Sequence, residues 1–309
     1  MARIVPFDPA HLAGAAALVA AAAAEARCRH PLLPAALEVS ARVEGLLAAP
    51  AGSGLGVAAL EGRRVAGFLV PLVFDLWGGP GAYVPEWGQA AADPFLVGGL
   101  YEAGATRWVG AGRTVHAITL WAHEPAVEAA WHDLGFGRVV VDAVRGLEPP
   151  DRRAPRVCVR AAGPDDATTL AALERALWEH LAAPPASRVP PGPGGRAEAA
   201  RRLADPAQPV WVAEVEGAVA GFISLQPGDE SPPALRSPDM VRCDGAFVLP
   251  GRRGKGVGRS LLGAAMGWAR AGGFTACGLD YESANLPAAR FWPRCGFLPV
   301  LHSVARRVA

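Results

Sequence analysis

The chain has 309 residues, of which 51% are hydrophobic and 19% are charged, and its formal net charge is +1. This length is typical of two medium-sized domains that can each bury a core, and the balanced charge excludes a global field that would draw the protein to nucleic acid or to an anionic membrane. The five cysteines are widely spaced and contain no C-x-x-C pair, which predicts no disulfide framework, no metal site and a reducing, cytoplasmic location.

The N-terminal stretch predicts a strand at residues 3–7, followed by a helix over the alanine-rich run Ala15–Ala24. Arg3 is the only basic residue ahead of that run, and Asp8 and His11 precede it, which argues against a secretory signal. No uninterrupted apolar run reaches the ~20 residues that a membrane span requires. We therefore expect an amphipathic or buried helix and no membrane partner.

Two sequence patterns occur once in each half of the chain. Gly56–Pro71 resembles Val210–Leu225, and both predict a strand, a tight turn at Glu-Gly and a second strand. His123–Phe136 resembles Asn285–Phe297, and both predict a helix that follows a strand and ends at Gly-Phe. Because the patterns recur in the same order, roughly half the chain apart, they indicate duplication of a whole domain rather than a short solenoid repeat.

The stretch Gly146–Pro155 is rich in proline and charge and lacks apolar periodicity, so it predicts a linker. We expect one domain at residues 1–148, the linker at 149–155 and a second domain at 156–309. Each domain should be an α/β unit with a mixed, mainly antiparallel sheet flanked by helices. The proline-glycine segment Pro184–Gly195 is either a loop over a site or a plain connection.

The stretch Asp244–Gly273 carries the strongest chemical signal. It predicts a strand at Gly245–Leu249, a glycine-rich loop and an apolar-periodic helix that ends near Gly272 and Gly273. Such a loop can hold a phosphate, because glycine lets the backbone pass close to the anion and the first helix amides point at its charge. The loop also carries four cations, namely Arg252, Arg253, Lys255 and Arg259.

Two common nucleotide motifs do not fit this loop. A Walker A loop needs Ser or Thr after its lysine, but Lys255 is followed by Gly256. The dinucleotide fingerprint also fails, because Leu261 stands at its last glycine position. The pattern that matches is R-x-x-G-x-G, formed by Arg253, Gly256 and Gly258.

At these residues the chain resembles the GNAT acetyltransferase family, in which this segment is the pyrophosphate loop for coenzyme A. The resemblance continues in an N-x-x-A-x-x-F pattern at Asn285, Ala288 and Phe291, and it covers about residues 156–305. It implies two tandem GNAT-like domains, of which the N-terminal one is a degenerate copy.

By the same resemblance, the donor is acetyl-CoA, bound as a co-substrate. The strand Ala246–Leu249 should diverge from its neighbour and offer backbone groups to the pantetheine arm. The residues that the resemblance implies in coenzyme binding are Phe247, Val248, Leu249, Arg253, Gly254, Lys255, Gly256, Val257, Gly258, Arg259, Ser260, Asn285 and Phe291.

The implied reaction is direct acyl transfer from a thioester to an amine, which requires a base or a water relay for the amine proton. We expect Asp244 or Tyr281 to be catalytic, although a solvated strand-end carboxylate and a half-buried sheet residue are the alternatives. Further candidate bases are Asp280, Glu282 and Glu214. Many family members have a tyrosine where this chain has Trp292, so either another group protonates the leaving thiolate or it departs unprotonated.

The first half lacks the R-x-x-G-x-G loop in the corresponding stretch, Ala82–Trp108. Its charges there, Glu86 and Asp93, would repel a diphosphate, so we expect no tight coenzyme binding by this half. It would instead support the second half or shape a substrate cleft. Its tryptophans either line such a cleft or pack in the core; they are Trp77, Trp87 and Trp108.

Three functions agree with these observations. The first is acetyl-CoA-dependent N-acetylation of a small-molecule or protein amine, and the second is an inactive acyl-CoA-binding sensor or partner protein. The third is an aminoglycoside-modifying enzyme, for which Asp229, Glu230 and Asp239 are compatible acidic residues that also fit solvated loop charge. The sequence specifies neither the acceptor nor the oligomeric state.

Overall fold

The computed structural model describes residues 2–149, 157–188, 194–228 and 231–308, so the predicted linker lies almost entirely outside the described residues. The strands are β1 Arg3–Pro6, β2 Val57–Glu61, β3 Arg64–Leu69, β4 Leu72–Leu76, β5 Gly79–Val84, β6 Gln89–Ala91, β7 Val115–Trp121, β8 Gly137–Gly146, β9 Cys158–Ala161, β10 Val210–Val215, β11 Ala218–Pro227, β12 Met240–Val248, β13 Ala276–Glu282 and β14 Leu298–Arg307. The helices are α1 Leu12–Arg29, α2 Ser40–Ala51, α3 Leu96–Gly110, α4 Pro125–Asp133, α5 Ala167–Ala182, α6 Arg196–Ala204, α7 Val257–Ala271 and α8 Leu286–Arg294.

The chain forms two compact units that are not contiguous in sequence. Unit 1 comprises Met1–Asp142, Pro232–Leu235 and Pro299–Ala309, and unit 2 comprises Ala143–Ser231 and Arg236–Leu298. This division differs from the predicted segments, which assigned the whole C-terminal end to the second domain. The physical reason is that β14 forms an antiparallel ladder with β7 of unit 1, from Leu301 opposite Trp121 to Arg307 opposite Val115.

Unit 1 contains mixed, mainly antiparallel sheet structure, as expected. The strand order β1-β2-β3-β6 is antiparallel throughout, and the predicted Glu-Gly turn joins β2 to β3, with Gly62 at φ 63°. In the second group of strands, β4 and β5 form a hairpin, β5 runs parallel to β7, and β7 pairs with β14. The core beneath these strands includes the buried aromatic residues Tyr101, Trp108, Trp131 and Phe136.

Helix α1 is the alanine-rich helix expected from the sequence. Among the described residues, Pro9–Arg29 is the one helical stretch whose length and apolar composition would also suit a membrane span. Its inner face is nevertheless buried at Ala15, Ala16 and Val19, and it packs against α2 and β3. A Cβ at Gly14 would lie 2.8 Å from a methyl carbon of Val65, so the helix approaches the sheet closely. One face of α1 is therefore packed against the unit, while most of the helix is partly or fully exposed.

Unit 2 has the strand order β13-β12-β11-β10-β9. All of these pairs are antiparallel except β12 with β13, which is parallel. The predicted Glu-Gly turn joins β10 to β11, and both Glu216 and Gly217 have positive φ, as a hairpin turn of this handedness requires.

The two faces of this sheet carry different helices. On one face, α5 and α6 bury Leu170, Leu173 and Ala199 against a cluster that includes Phe222 and Phe247. On the opposite face lies α7, whose apolar stripe is buried at Leu261, Leu262, Ala265, Met266 and Ala269. Trp268 of the same helix is 37% exposed and packs on the rings of Trp211 and Phe274.

Candidate active site

The strand β12 diverges from β13 after three residue pairs. Parallel pairing runs from Met240 opposite Ala276 to Arg242 opposite Gly278. Beyond these pairs, β12 continues to Val248 and β13 continues to Glu282. Within residues 240–282, all of which the structure describes, the two strands do not pair with each other again. The expected divergence of β12 from its neighbour is therefore present, and it leaves one backbone edge of β12 available for a ligand.

A β-bulge lies where this divergence begins. Ser224 of β11 stands opposite Gly245 and Leu225 stands opposite Cys243, so Asp244 is the extra residue on β12. Bulges bend a strand and redirect its side chains, and they are frequent next to active sites.

The glycine loop leads from β12 into α7. Gly254 has φ 77° and Gly256 has φ 85°, values that only glycine adopts without strain. The first backbone hydrogen bond of the helix runs from Ser260 N to Gly256 O, at 3.0 Å. The amides of residues 257–259 precede this bond and therefore have no partner inside the helix, which makes them donors for an anion.

Gly258 lies against Phe291 of α8. A Cβ at this position would be 3.1 Å and 3.2 Å from two ring atoms of Phe291, well inside the ~3.5–4.0 Å of an ordinary carbon contact. The second glycine of the R-x-x-G-x-G motif is thus needed for the close approach of α8 to the start of α7.

A cleft of about 610 Å³ opens along β12, α7 and α8. Its lining contains ten of the thirteen predicted coenzyme residues: Phe247, Val248, Arg253, Gly254, Gly256, Val257, Gly258, Arg259, Asn285 and Phe291. The three predicted residues outside the lining have other surroundings. Leu249 N donates to Ala220 O, Lys255 is exposed, and the Ser260 Oγ is buried without a hydrogen-bond partner among the described residues.

The cleft is strongly cationic. Among the described lining residues there is no carboxylate, while five arginines contribute to it: Arg252, Arg253, Arg259, Arg290 and Arg294. The Nε of Arg253 donates to Val248 O at 2.9 Å, and its guanidinium lies 5.4 Å from the centre of the Phe247 ring. Burial lowers the pKa of Arg253 from its usual value, but an arginine remains protonated in proteins. Arg252 forms an ion pair with Glu216, at 2.7 Å.

Asn285 begins α8 as its N-cap. Its Oδ1 accepts a hydrogen bond from Ala288 N at 3.5 Å, and the His180 Nε2 lies 3.3 Å from the same oxygen. The sequence analysis did not select His180, which lines the cleft from α5. No local motif surrounds His180 on that helix, so its place in the cleft follows from tertiary packing alone.

The predicted catalytic residues do not line the cleft. Asp244 is exposed and forms an ion pair with Arg202 of α6, at 2.9 Å. Tyr281 is only 7% exposed. The further candidate bases are all in ion pairs: Asp280 with Arg242, Glu282 with Arg188 and Glu214 with Arg160.

Trp292 lies in the cleft wall and is 8% exposed. Its ring packs against Phe291 and Phe297, with centroid distances of 4.9 Å and 5.2 Å. The indole therefore fills space between α8 and the following strand, and it has no proton to exchange at neutral pH.

In unit 1, the charged residues and tryptophans that the sequence singled out have structural surroundings. Glu86 is 1% exposed and accepts a hydrogen bond from Ala234 N at 3.0 Å. At the start of α3, the Asp93 Oδ1 accepts from Phe95 N. Trp108 is fully buried and its Nε1 donates to Leu55 O, so core packing is its role. Of the other two tryptophans, Trp87 is buried, while Trp77 lies in the β4–β5 turn.

Comparisons with known proteins agree with this geometry. Residues 174–297 match the model of the acetyltransferase (GNAT) family. A mycothiol acetyltransferase from Frankia casuarinae is 30% identical over 225 residues, which cover 68% of this chain and 62% of that protein. The chain thus spans somewhat less than two thirds of the length of this relative.

A solved structure shows the same fold. A GCN5-related N-acetyltransferase from Sphaerobacter thermophilus superimposes with a TM-score of 0.58 at 16% identity, covering 99% of this chain and 95% of that one. A tandem GNAT protein from the clavulanic acid biosynthesis pathway, without AcCoA, gives 0.48 at 17% identity, covering 100% and 99%. The family match at residues 174–297 identifies a domain of the GNAT acetyltransferase family in this chain.

Proposed function

We propose that the protein is an acetyl-CoA-dependent N-acetyltransferase that moves an acetyl group directly to an amine of a small molecule or a protein. The observation that carries this proposal is the cleft of unit 2 that joins an anion-binding helix start to the free edge of β12. The cationic lining suits a donor with several phosphates, and no nucleic-acid or membrane partner is part of the proposal. We place the protein in the cytoplasm.

The residues of the cleft fit the donor. The amides of residues 257–259, together with Arg253 and Arg259, would hold its diphosphate, because each charge-assisted bond contributes about 1.5–3 kcal/mol where water is excluded. The buried, unpartnered Ser260 Oγ is a further donor at the same helix start. The diverging edge of β12 would hold the pantetheine arm through its backbone groups, as an added strand pairs with a sheet.

The bound donor supplies a thioester carbonyl for attack by the acceptor amine. The chain must then hold the acceptor, accept the amine proton and tolerate the leaving thiolate. Trp292 cannot donate a proton to that thiolate, but a thiol has an ordinary pKa near ~8.5 and can leave as the anion.

The alternative function is an inactive acyl-CoA-binding sensor or partner protein. It is favoured by two observations, Trp292 in the cleft wall and the ion-paired state of Asp244. Both functions require the donor to bind, and only the enzyme requires turnover.

Calorimetric titration with acetyl-CoA tests the shared requirement. We expect binding with a micromolar to millimolar Kd, and Arg253→Glu should abolish it. Arg270→Glu is the matched control, because it makes the same charge change at an exposed residue at the far end of α7, away from the loop that holds Arg253. Equal affinities in both variants, or no binding by the unaltered protein, would refute the site. Release of free thiol with a panel of primary amines would then exclude the sensor.

A further inference from the structure

We infer that His180 is a catalytic residue of unit 2, the base that takes the proton from the acceptor amine. This inference rests on the proposed function and assigns the proton acceptor that neither Asp244 nor Tyr281 supplies from within the cleft.

His180 is the one residue with ordinary acid–base chemistry among the described lining of the cleft. Apart from it, the titratable side chains in that lining are arginines, which stay protonated. Histidine is the side chain whose charge ordinarily changes between pH 5 and 8, which is the property a general base needs at neutral pH.

The carboxylates of the two diverging strands, β12 and β13, are already engaged. Asp244 pairs with Arg202, which also lies 3.6 Å from Glu174. The two carboxylates of β13 are paired as well, Asp280 with Arg242 and Glu282 with Arg188. To accept a proton, each of these would have to lose the stabilisation of its own arginine.

The hydrogen bond to Asn285 determines which nitrogen of the His180 ring carries the hydrogen. The Asn285 Oδ1 accepts from Ala288 N as the cap of α8, so an oxygen and not the amide NH₂ faces the ring. An oxygen of this kind only accepts, and the His180 Nε2 must therefore carry the hydrogen. In the neutral ring the lone pair is then on Nδ1, which can take a proton.

The position of His180 along the cleft also suits a role beside the thioester end of the donor. The ring lies 6.1 Å from that of Phe247 on β12 and contacts the residue that begins α8. Phe247 packs in the apolar cluster beneath α5, and α5 contacts β12. His180 therefore faces the diverging part of β12.

The step balances without any further reactant. The neutral amine nitrogen forms a bond to the thioester carbon, and the carbon–sulfur bond breaks with its electron pair going to sulfur. The His180 Nδ1 takes the amine proton and returns it to the thiolate, directly or through solvent. The products are an amide and a free thiol.

A first experiment observes the ring itself. In protein labelled with ¹⁵N-histidine, long-range proton–nitrogen spectra at pH 8 should show the Nε2–H tautomer for His180, assigned by its loss in His180→Gln. The Nδ1–H tautomer would overturn the inference, whatever the amine panel shows.

A second experiment uses His180→Gln for kinetics, because glutamine can still donate to Asn285 but cannot serve as a base. We expect kcat for a responsive amine to fall about 10²–10⁴-fold, the decline of activity on the acid side to disappear, and the Kd for acetyl-CoA to stay within about twofold. An unchanged kcat, or an unchanged pH profile, would overturn the inference. Loss of donor binding or of all turnover in the unaltered protein would instead refute the proposed function, and the tautomer would still decide the role of His180.

Discussion

The variant Gly258→Ala tests the close contact between the start of α7 and the Phe291 ring in the cleft wall. The backbone amide of residue 258 is retained, so its ability to donate to an anion is unchanged. The new methyl group would lie 3.1 Å and 3.2 Å from the Phe291 ring, and the ring must move to relieve this contact. Because Phe291 lines the cleft, its movement changes the surface that the donor occupies.

The size of the effect follows from the cost of overpacking. An extra methyl group in a closely packed site typically costs about 1–3 kcal/mol. If the ring must return to its original place when the donor binds, the Kd for acetyl-CoA should rise about 5–150-fold. Isothermal titration calorimetry measures this change directly.

Gly267→Ala is the matched control, since Gly267 lies inside the same helix and a Cβ there meets no atom within 4 Å. We expect this variant to bind acetyl-CoA normally and to gain about 0.5–1 kcal/mol of unfolding free energy from the better helix former. The reasoning would be refuted if the two variants bound acetyl-CoA equally well.

Three further predictions concern other residues. Asn285→Ala removes the cap of α8 and should lower the free energy of unfolding by about 0.5–2 kcal/mol, while Asn285→Asp should retain most of it; urea denaturation compares them. Trp292→Tyr introduces an acid at the position usual in the family, and kcat should change less than about threefold if the thiolate leaves unprotonated; a larger rise would show that protonation limits the rate. Burial and the nearby Glu25 raise the pKa of Glu124 to about 7, so its contribution to stability is complete below its unfolded pKa and is lost as the pH rises through 7. Glu124→Gln should therefore stabilise the protein at pH 8 relative to pH 5, by at most about 3 kcal/mol, whereas the exposed Glu102→Gln should not.

The sequence predicted those structural features that are determined by residues close together in the chain. The glycines at 254 and 256 require positive φ, and their positions next to a strand and an apolar helix are visible in the chain itself. The helix that ends at Gly272 and the Glu-Gly turn at 216–217 are local for the same reason. Each of these was placed correctly.

What the sequence did not predict depends on residues that are distant in the chain. Asp244 pairs with Arg202, which is 42 positions away, and His180 meets Asn285 across 105 positions. No periodicity or motif carries such information, because side chains on different elements meet only after the sheet and helices have packed. The same holds for β14, whose alternation suits any antiparallel neighbour and does not specify β7.

The contrast between the two units has a physical reason. The start of α7 in unit 2 combines left-handed glycines, amides without a helix partner and several arginines, and each of these features destabilises a fold that binds no anion. In unit 1 the start of α3 is satisfied internally, by the Asp93 carboxylate on Phe95 N. A buried chain of hydroxyls, from Tyr83 to Thr119 to Ser303, links β5, β7 and β14 with hydrogen bonds of 3.0 Å and 2.8 Å. If unit 1 is the degenerate copy that the sequence predicts, such internal contacts stabilise it without an anion, whereas its core pattern is needed in either case.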